Sequence, residues 1–338
     1  MRIRSLITML GLAAVVAVGC SGGSSSSSST SGTPSTTGTP DAGKKLRIAV
    51  IPKGSTHEFW RSIHAGAEAA AKELGNVEII WKGPQKENDR DDQIKVVEDF
   101  TTDKVDGIVL APLDDTALRL PVDAAQKAGI PVVIIDSALK DIETSSFVAT
   151  DNYVGGKRGG EEMVRLLGTE PKKVILLRYQ EGSASTMERE KGFLDALAEA
   201  KNITVLDSSQ YAGPTMDTAM TAAENLLLRY KDVDGVLTPN ESSTSGMLRA
   251  LQGAGLAGKV KFIGFDSTDK LVEALSQKLL NGLVVQNPYN MGYLGVKTMV
   301  AAIKKETVEK KIDTGCQLAT PENMKDKDVD AILHPKKL

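Results

Sequence analysis

From Leu46 onward, short apolar runs alternate with stretches in which apolar residues recur at helical spacing. The runs at 46–52, 77–82, 107–111 and 131–136 predict strands. The stretches at 59–74, 90–103 and 115–128 predict helices between them, with Gly75, Gly107 and Gly129 as punctuation at their ends. A second series follows, with strands predicted at 173–178, 203–211, 235–239 and 260–265 and helices at 186–200, 216–230 and 243–254. Strand and helix in regular alternation are the pattern of a mainly parallel sheet covered by helices, here written twice.

One stretch occurs in both halves. Asp106-Gly107-Ile108-Val109-Leu110-Ala111-Pro112 leads through a helix and Ala128-Gly129 to a strand ending Ile135-Asp136-Ser137. Asp234-Gly235-Val236-Leu237-Thr238-Pro239-Asn240 leads through a helix and Ala254-Gly255 to a strand ending Phe265-Asp266-Ser267. Each half thus places an acid at the carboxyl end of a strand, where open α/β sheets bind their ligands. Two uses are open for each acid: a cap for the following helix, or a ligand contact in a cleft between facing halves.

At 338 residues, 41% hydrophobic and 25% charged, the chain is long enough for two domains of roughly 130 residues each. A net charge of −3 with interleaved signs gives no basic stripe for phosphates, so nucleic acid is not an expected partner. Before Leu46 the pattern changes. Arg2 and Arg4 precede an apolar run at 6–18, then Gly19 and Cys20, the layout of an export signal over residues 1–20. The arrangement resembles a lipoprotein lipobox, which implies lipidation of the Cys20 thiol; the alternative is an ordinary cleaved signal with an incidental cysteine. Residues 21–44 are almost entirely Ser, Gly, Thr and Pro, a flexible-tether composition. With Cys20 acylated, Cys316 is the one remaining thiol, and no intramolecular disulfide is expected.

Gly253-Ala254-Gly255-Leu256-Ala257-Gly258 matches the dinucleotide fingerprint, but it follows a helix and precedes a strand, the reverse of the order a phosphate-binding turn needs. The sequence holds no nucleophile elbow, Walker loop or His-Glu-x-x-His helix. His57, His64 and His334 have no metal-ligand spacing. No cofactor, metal or catalytic residue is expected, and the chain is not read as an enzyme. His57 is set apart by its loop, Lys53-Gly54-Ser55-Thr56-His57-Glu58-Phe59-Trp60, in which polar groups adjoin two aromatics. Aromatic faces suit the C–H surface of a sugar ring while polar neighbours take its hydroxyls. Of two consecutive ring-bearing positions on a helix, at least one is expected to reach a cleft; the competing use of both is in the core.

With this loop, the Asp-terminated strands and the segment Gln286-Asn287-Pro288 in view, the sequence resembles the ribose-type periplasmic binding proteins from about Leu46 to its C-terminus. The resemblance implies two doubly wound α/β domains joined by three hinge crossings near Thr150, Gln286 and Gly315. It divides the chain into 45–150 with 287–315 and 151–286 with 316–338. It further implies ring contacts from Phe59, Trp60 and Phe265, hydroxyl contacts from Asp136, Asn240, Asp266 and Gln286, and a bridging guanidinium from Arg189. Ribose receptors carry small polar or amide residues where this chain has Lys53 and His57, an Asn at Ala111 and an Arg at Ser137; Lys53 and His57 join the candidate contacts. Lys53 and Arg189 are balanced by Asp136 and Asp266, which favours a neutral ligand.

The expected function is therefore that of an extracytoplasmic receptor, monomeric and lipid-anchored on the periplasmic or cell-surface side of the membrane. It would close on a neutral monosaccharide and deliver it to the permease of an ABC importer. Autoinducer-2 receptors share a Lys after the first strand, so a receptor for such a furanosyl diol or a polyol is the alternative ligand reading. A sugar sensor for a chemoreceptor or kinase is the alternative partner reading.

Overall fold

The computed structural model describes residues 45–338. The expected lipobox at Cys20 and the tether over 21–44 lie outside them. In chain order the first series is β1 (Leu46–Ile51), α1 (Glu58–Leu74), β2 (Val77–Trp81), α2 (Arg90–Thr102), β3 (Gly107–Leu110), α3 (Arg119–Lys127), β4 (Val132–Ile135) and β5 (Ser146–Ala149). The second is α4 (Asn152–Leu167), β6 (Lys172–Leu176), α5 (Ala184–Glu199), β7 (Ile203–Asp207), α6 (Met216–Arg229), β8 (Gly235–Leu237), α7 (Glu241–Gly253), β9 (Lys261–Phe265), α8 (Asp269–Ser276) and β10 (Gly282–Gln286). Then come α9 (Pro288–Ile303), β11 (Lys311–Asp313), β12 (Cys316–Ala319) and α10 (Lys327–Leu333).

The strands form two six-stranded sheets with the same winding, ordered β11-β5-β4-β3-β1-β2 and β12-β10-β9-β8-β6-β7. All pairings are parallel except β10 with β12. The fold is the expected pair of doubly wound α/β lobes. Strands such as Gly-Ile-Val-Leu of β3 are buried along their whole length, because helices cover both faces of a parallel sheet. Each sheet accordingly has an apolar cluster on either side. Helix α4 packs on the second sheet and α9 on the first, so the chain passes between lobes after β5, after β10 and between β11 and β12.

Helix pairs α1/α9 and α4/α5 occupy equivalent places in the two lobes and meet through glycines. A Cβ on Gly66 would lie 1.9 Å from the Tyr289 carbonyl oxygen, and one on Gly156 2.0 Å from that of Arg189. The second contact matters for the site, since it sets the distance between α4 and the backbone that carries Arg189.

Two predicted elements fall four residues short of their apolar patterns at one end. Strand β7 stops at Asp207 because that carboxylate accepts from the backbone N–H and hydroxyl of Ser209, a local turn that competes with the ladder. Helix α3 begins at Arg119 instead of Asp115, since Asp114 accepts from the backbone N–H groups of Thr116 and Ala117 and holds a turn there. His64 of α1 stacks its ring on Trp81 of β2 at 4.3 Å.

Candidate functional site

The carboxyl ends of both sheets face one another across a narrow polar cavity. In each half the acid after the fourth strand reaches it. Asp136 follows β4 and Asp266 follows β9, and both adopt left-handed backbone, at φ 61° and 68°, a conformation Asp tolerates better than most residues. Their amides stay tied to neighbouring strands, Asp136 N–H to Val148 O at 3.1 Å and Asp266 N–H to Val284 O at 2.9 Å. The strand-end turn thus sends both carboxylates into the cavity.

The lobe of the second sheet contributes a polar group whose hydrogen bonds are mostly but not wholly used. Arg189 is nearly inaccessible. Its Nε donates to Asn152 Oδ1 at 2.8 Å and its Nη1 to Pro239 O at 2.9 Å. Its guanidinium lies over the Phe265 ring at 4.3 Å, a cation–π contact that fixes its plane. Nη2 has no hydrogen-bond partner in the protein and sits 3.9 Å from Asp136 Oδ1. Gln286 donates from Nε2 to Asp266 Oδ1 at 2.7 Å, while its Oε1 has no partner. A donor and an acceptor, both buried and both at the cavity wall, are thus left for a ligand; leaving such groups unpaired costs about 1–3 kcal/mol each.

The expected ring contact from Phe265 is corrected by this arrangement. The side chain is fully buried in the cluster beneath α4 and α5, edge-on to Phe193, and is absent from the cavity wall. Strand alternation directs it away from the cleft, and Arg189 covers its upper face. Both Phe59 and Trp60 reach the wall, with ring centroids 5.0 Å apart and planes at 87°. Asn240 lines the cavity and at the same time caps α7 through Oδ1, so the two uses coincide.

Lys53 and His57 line the cavity too, but their charges are taken up by protein partners. Lys53 Nζ lies 2.9 Å from Asp136 Oδ2 and donates to Ser185 Oγ at 3.0 Å and Ser183 Oγ at 3.3 Å. His57 Nδ1 lies 2.5 Å from Glu87 Oε1, which also accepts from Trp60 Nε1 at 2.7 Å. Glu87 Oε2 accepts from the Tyr179 hydroxyl at 2.6 Å. Burial disfavours the imidazolium, yet Glu87 first, then Glu241 and Asp266, overcome this and hold the His57 pKa at about 9. Burial likewise works against the Glu87 anion, and His57, Lys53 and Tyr179 outweigh it to bring that pKa to about 2. Burial lifts Glu241 to about 7 and, helped by Asp136, raises Asp266 against the pull of Arg189 and Gln286.

Glu87, Tyr179, Ser185, Thr186 and Glu241 at the wall were not among the sequence candidates. Glu87 sits in the charged stretch Lys86-Glu87-Asn88-Asp89-Arg90, where nothing distinguishes it from solvated neighbours. Tyr179 could have been found, because it lies in the loop that follows β6, the first strand of the second half, as Lys53 lies in the loop that follows β1. Among the described residues no group of three or more His, Cys, Asp or Glu side chains is arranged to hold a metal ion.

Residues 48–307 match the family model described as periplasmic binding protein domain. Among characterised relatives, the D-allose-binding periplasmic protein of Escherichia coli is 31% identical over 268 residues, 77% of this chain and 85% of that protein. The ribose import binding protein RbsB of the same organism is 31% identical over 282 residues, 83% of this chain and 93% of that protein. Among solved structures, an ABC transporter solute binding protein from Agrobacterium vitis with bound D-fucose superimposes with a TM-score of 0.83 at 37% identity, covering 85% of this chain and all of that one. A carbohydrate transporter solute binding protein from Agrobacterium radiobacter in complex with D-arabinose gives 0.82 at 34%, covering 86% and 99%.

Proposed function

The chain belongs to the periplasmic binding protein family, and from that premise we propose that it binds one neutral monosaccharide between its lobes and presents it, in the closed form, to the permease of an ABC importer. The observation that carries the reading is the pair of buried, unpartnered groups at one cavity wall, Arg189 Nη2 and Gln286 Oε1. A sugar hydroxyl accepts from the first and donates to the second, and Asp136 and Asp266 beside them accept from further hydroxyls. Phe59 and Trp60 offer a ring-sized apolar surface.

Charge supports a neutral ligand. Lys53, His57 and Arg189 are opposed by Asp136, Glu87 and Asp266 at the same wall, and Glu241, which burial lifts to about 7, is taken up by the N–H groups of Glu58 and Phe59, so a net charge on the ligand would have no dedicated partner. The relatives' ligands, D-fucose and D-arabinose in the two solved structures, are of this class. The moving bodies are 45–150 with 287–315 and 151–286 with 316–338, hinged at their three crossings. Cys20 supplies the lipid anchor on the periplasmic or cell-surface side, and the protein works as a monomer. A thermal-shift screen of the folded part against neutral pentoses, hexoses, xylitol and autoinducer-2 tests the reading. A rise in melting temperature with a neutral sugar supports it; a rise with autoinducer-2 alone, or none with any sugar, overturns it.

A further inference from the structure

Helix α1 begins without a cap of its own. Its N-cap residue, His57, makes no side-chain bond to the helix, because the imidazole is held by Glu87. The donors at the start of the helix are instead satisfied from the other lobe. Glu241, the first residue of α7, accepts from Glu58 N–H through Oε1 at 3.2 Å and from Phe59 N–H through Oε2 at 3.0 Å. Its own backbone N–H donates to Asp266 Oδ2 at 2.9 Å, so the start of α7 is tied to the ligand-facing acid of its lobe. The Glu241 residue is buried.

We propose that Glu241 is the closure latch of this receptor, capping α1 from across the cleft only when the lobes have met. The proposal rests on the monosaccharide-receptor reading above. A carboxyl group at a helix N-terminus takes up free N–H groups as an acceptor and, where ionised, meets the positive end of the dipole. Here both are available to Glu241 only across the gap, so their energy goes to closure and not to folding of either lobe. The capped turn also carries Phe59 and Trp60, so the latch fixes the aromatic wall as the cleft shuts. Other bonds cross the cleft, Tyr179 to Glu87, Ser185 N–H to Ser137 Oγ and Asp115 N–H to Gly182 O. Glu241 alone of these groups joins the start of α1 to the Asp266 carboxylate.

The test separates a latch from a ligand contact by measuring closure at saturation. Small-angle scattering gives the radius of gyration of the parent, Glu241→Ala and Glu241→Asp, each without sugar and with the sugar found by the thermal-shift screen, at concentrations calorimetry shows to be saturating. The parent should contract on binding. Glu241→Ala should bind about 100-fold more weakly and, when saturated, contract by less than half as much. Glu241→Asp keeps the charge but is one methylene too short to span the gap; it should also fall short, and it carries the test should the alanine variant not fold. Full contraction of either saturated variant would overturn the latch. A parent that neither binds nor contracts with any sugar would overturn the receptor reading instead.

Discussion

Replacing Glu87 by Gln removes one charge from a buried network and leaves its shape. In the parent, the Glu87 carboxylate pairs with His57 at 2.5 Å and accepts from Trp60 and Tyr179. The rise in the His57 pKa from 6.5 to about 9 corresponds to about 3 kcal/mol at neutral pH. That agrees with the low end of the cost, about 3–5 kcal/mol, of removing one partner from a buried pair. The amide can still accept from Trp60 and meet the Tyr179 hydroxyl, which favours the lower figure. For a fold of this size, 3 kcal/mol lowers the melting temperature by about 6 °C. Because the His57 pKa is raised in the folded state, its contribution is fully present below about pH 6.5 and is lost as pH rises through about 9. Calorimetric scans of parent and Glu87→Gln should therefore differ most near pH 6.5 and markedly less at pH 10. A difference as large at pH 10 as at pH 6.5, or none at either, would refute the ion pair as the source.

Arg189→Lys should keep the positive charge but lose the bonds to Asn152 and Pro239 and the free Nη2 donor, weakening sugar binding about 100-fold by calorimetry; affinity within threefold of the parent would remove the fork from the account. Gly156→Ala would set a methyl 2.0 Å from the Arg189 carbonyl oxygen, and should cost about 3 kcal/mol of stability by denaturant titration and weaken binding as well. Parent-like stability and affinity would show that α5 can retreat without moving the site.

The two-lobe fold was legible because its strands are apolar runs and its outer helices amphipathic, and the repeated Asp-Gly stretch marked Asp136 and Asp266 as equivalent strand-end acids. Helix α4 was not legible. Its sequence, Asn-Tyr-Val-Gly-Gly-Lys-Arg-Gly-Gly, is poor in intrinsic helix propensity; close packing on α5 through those glycines stabilises it, a tertiary cause no local pattern reports. Helices α8, α9 and α10 and strands β5, β10, β11 and β12 likewise received no predicted range. Within the site, the strand-end acids Asp136 and Asp266, the loop after β1 and the helix positions Phe59, Trp60 and Arg189 all line the cavity. Phe265 was misplaced because its adjacency to Asp266 outweighed the alternation that turns it under Arg189. Glu87 and Glu241 were missed because an acid in a polar loop and an acid in a helix's first turn both have ordinary uses in solvent. One partner of each lies across the cavity and is distant in sequence, at separations of 92 for Tyr179 and 182 for Phe59.

The most direct test of the central claim is a calorimetric titration of the folded part with the neutral sugar that raises its melting temperature most, run beside Asp266→Ala. The account predicts one sugar per chain for the parent and, for the variant, which loses a buried carboxylate and the partner of Gln286, an affinity at least about 100-fold lower. Equal affinities for the two proteins would place the sugar elsewhere and contradict the account.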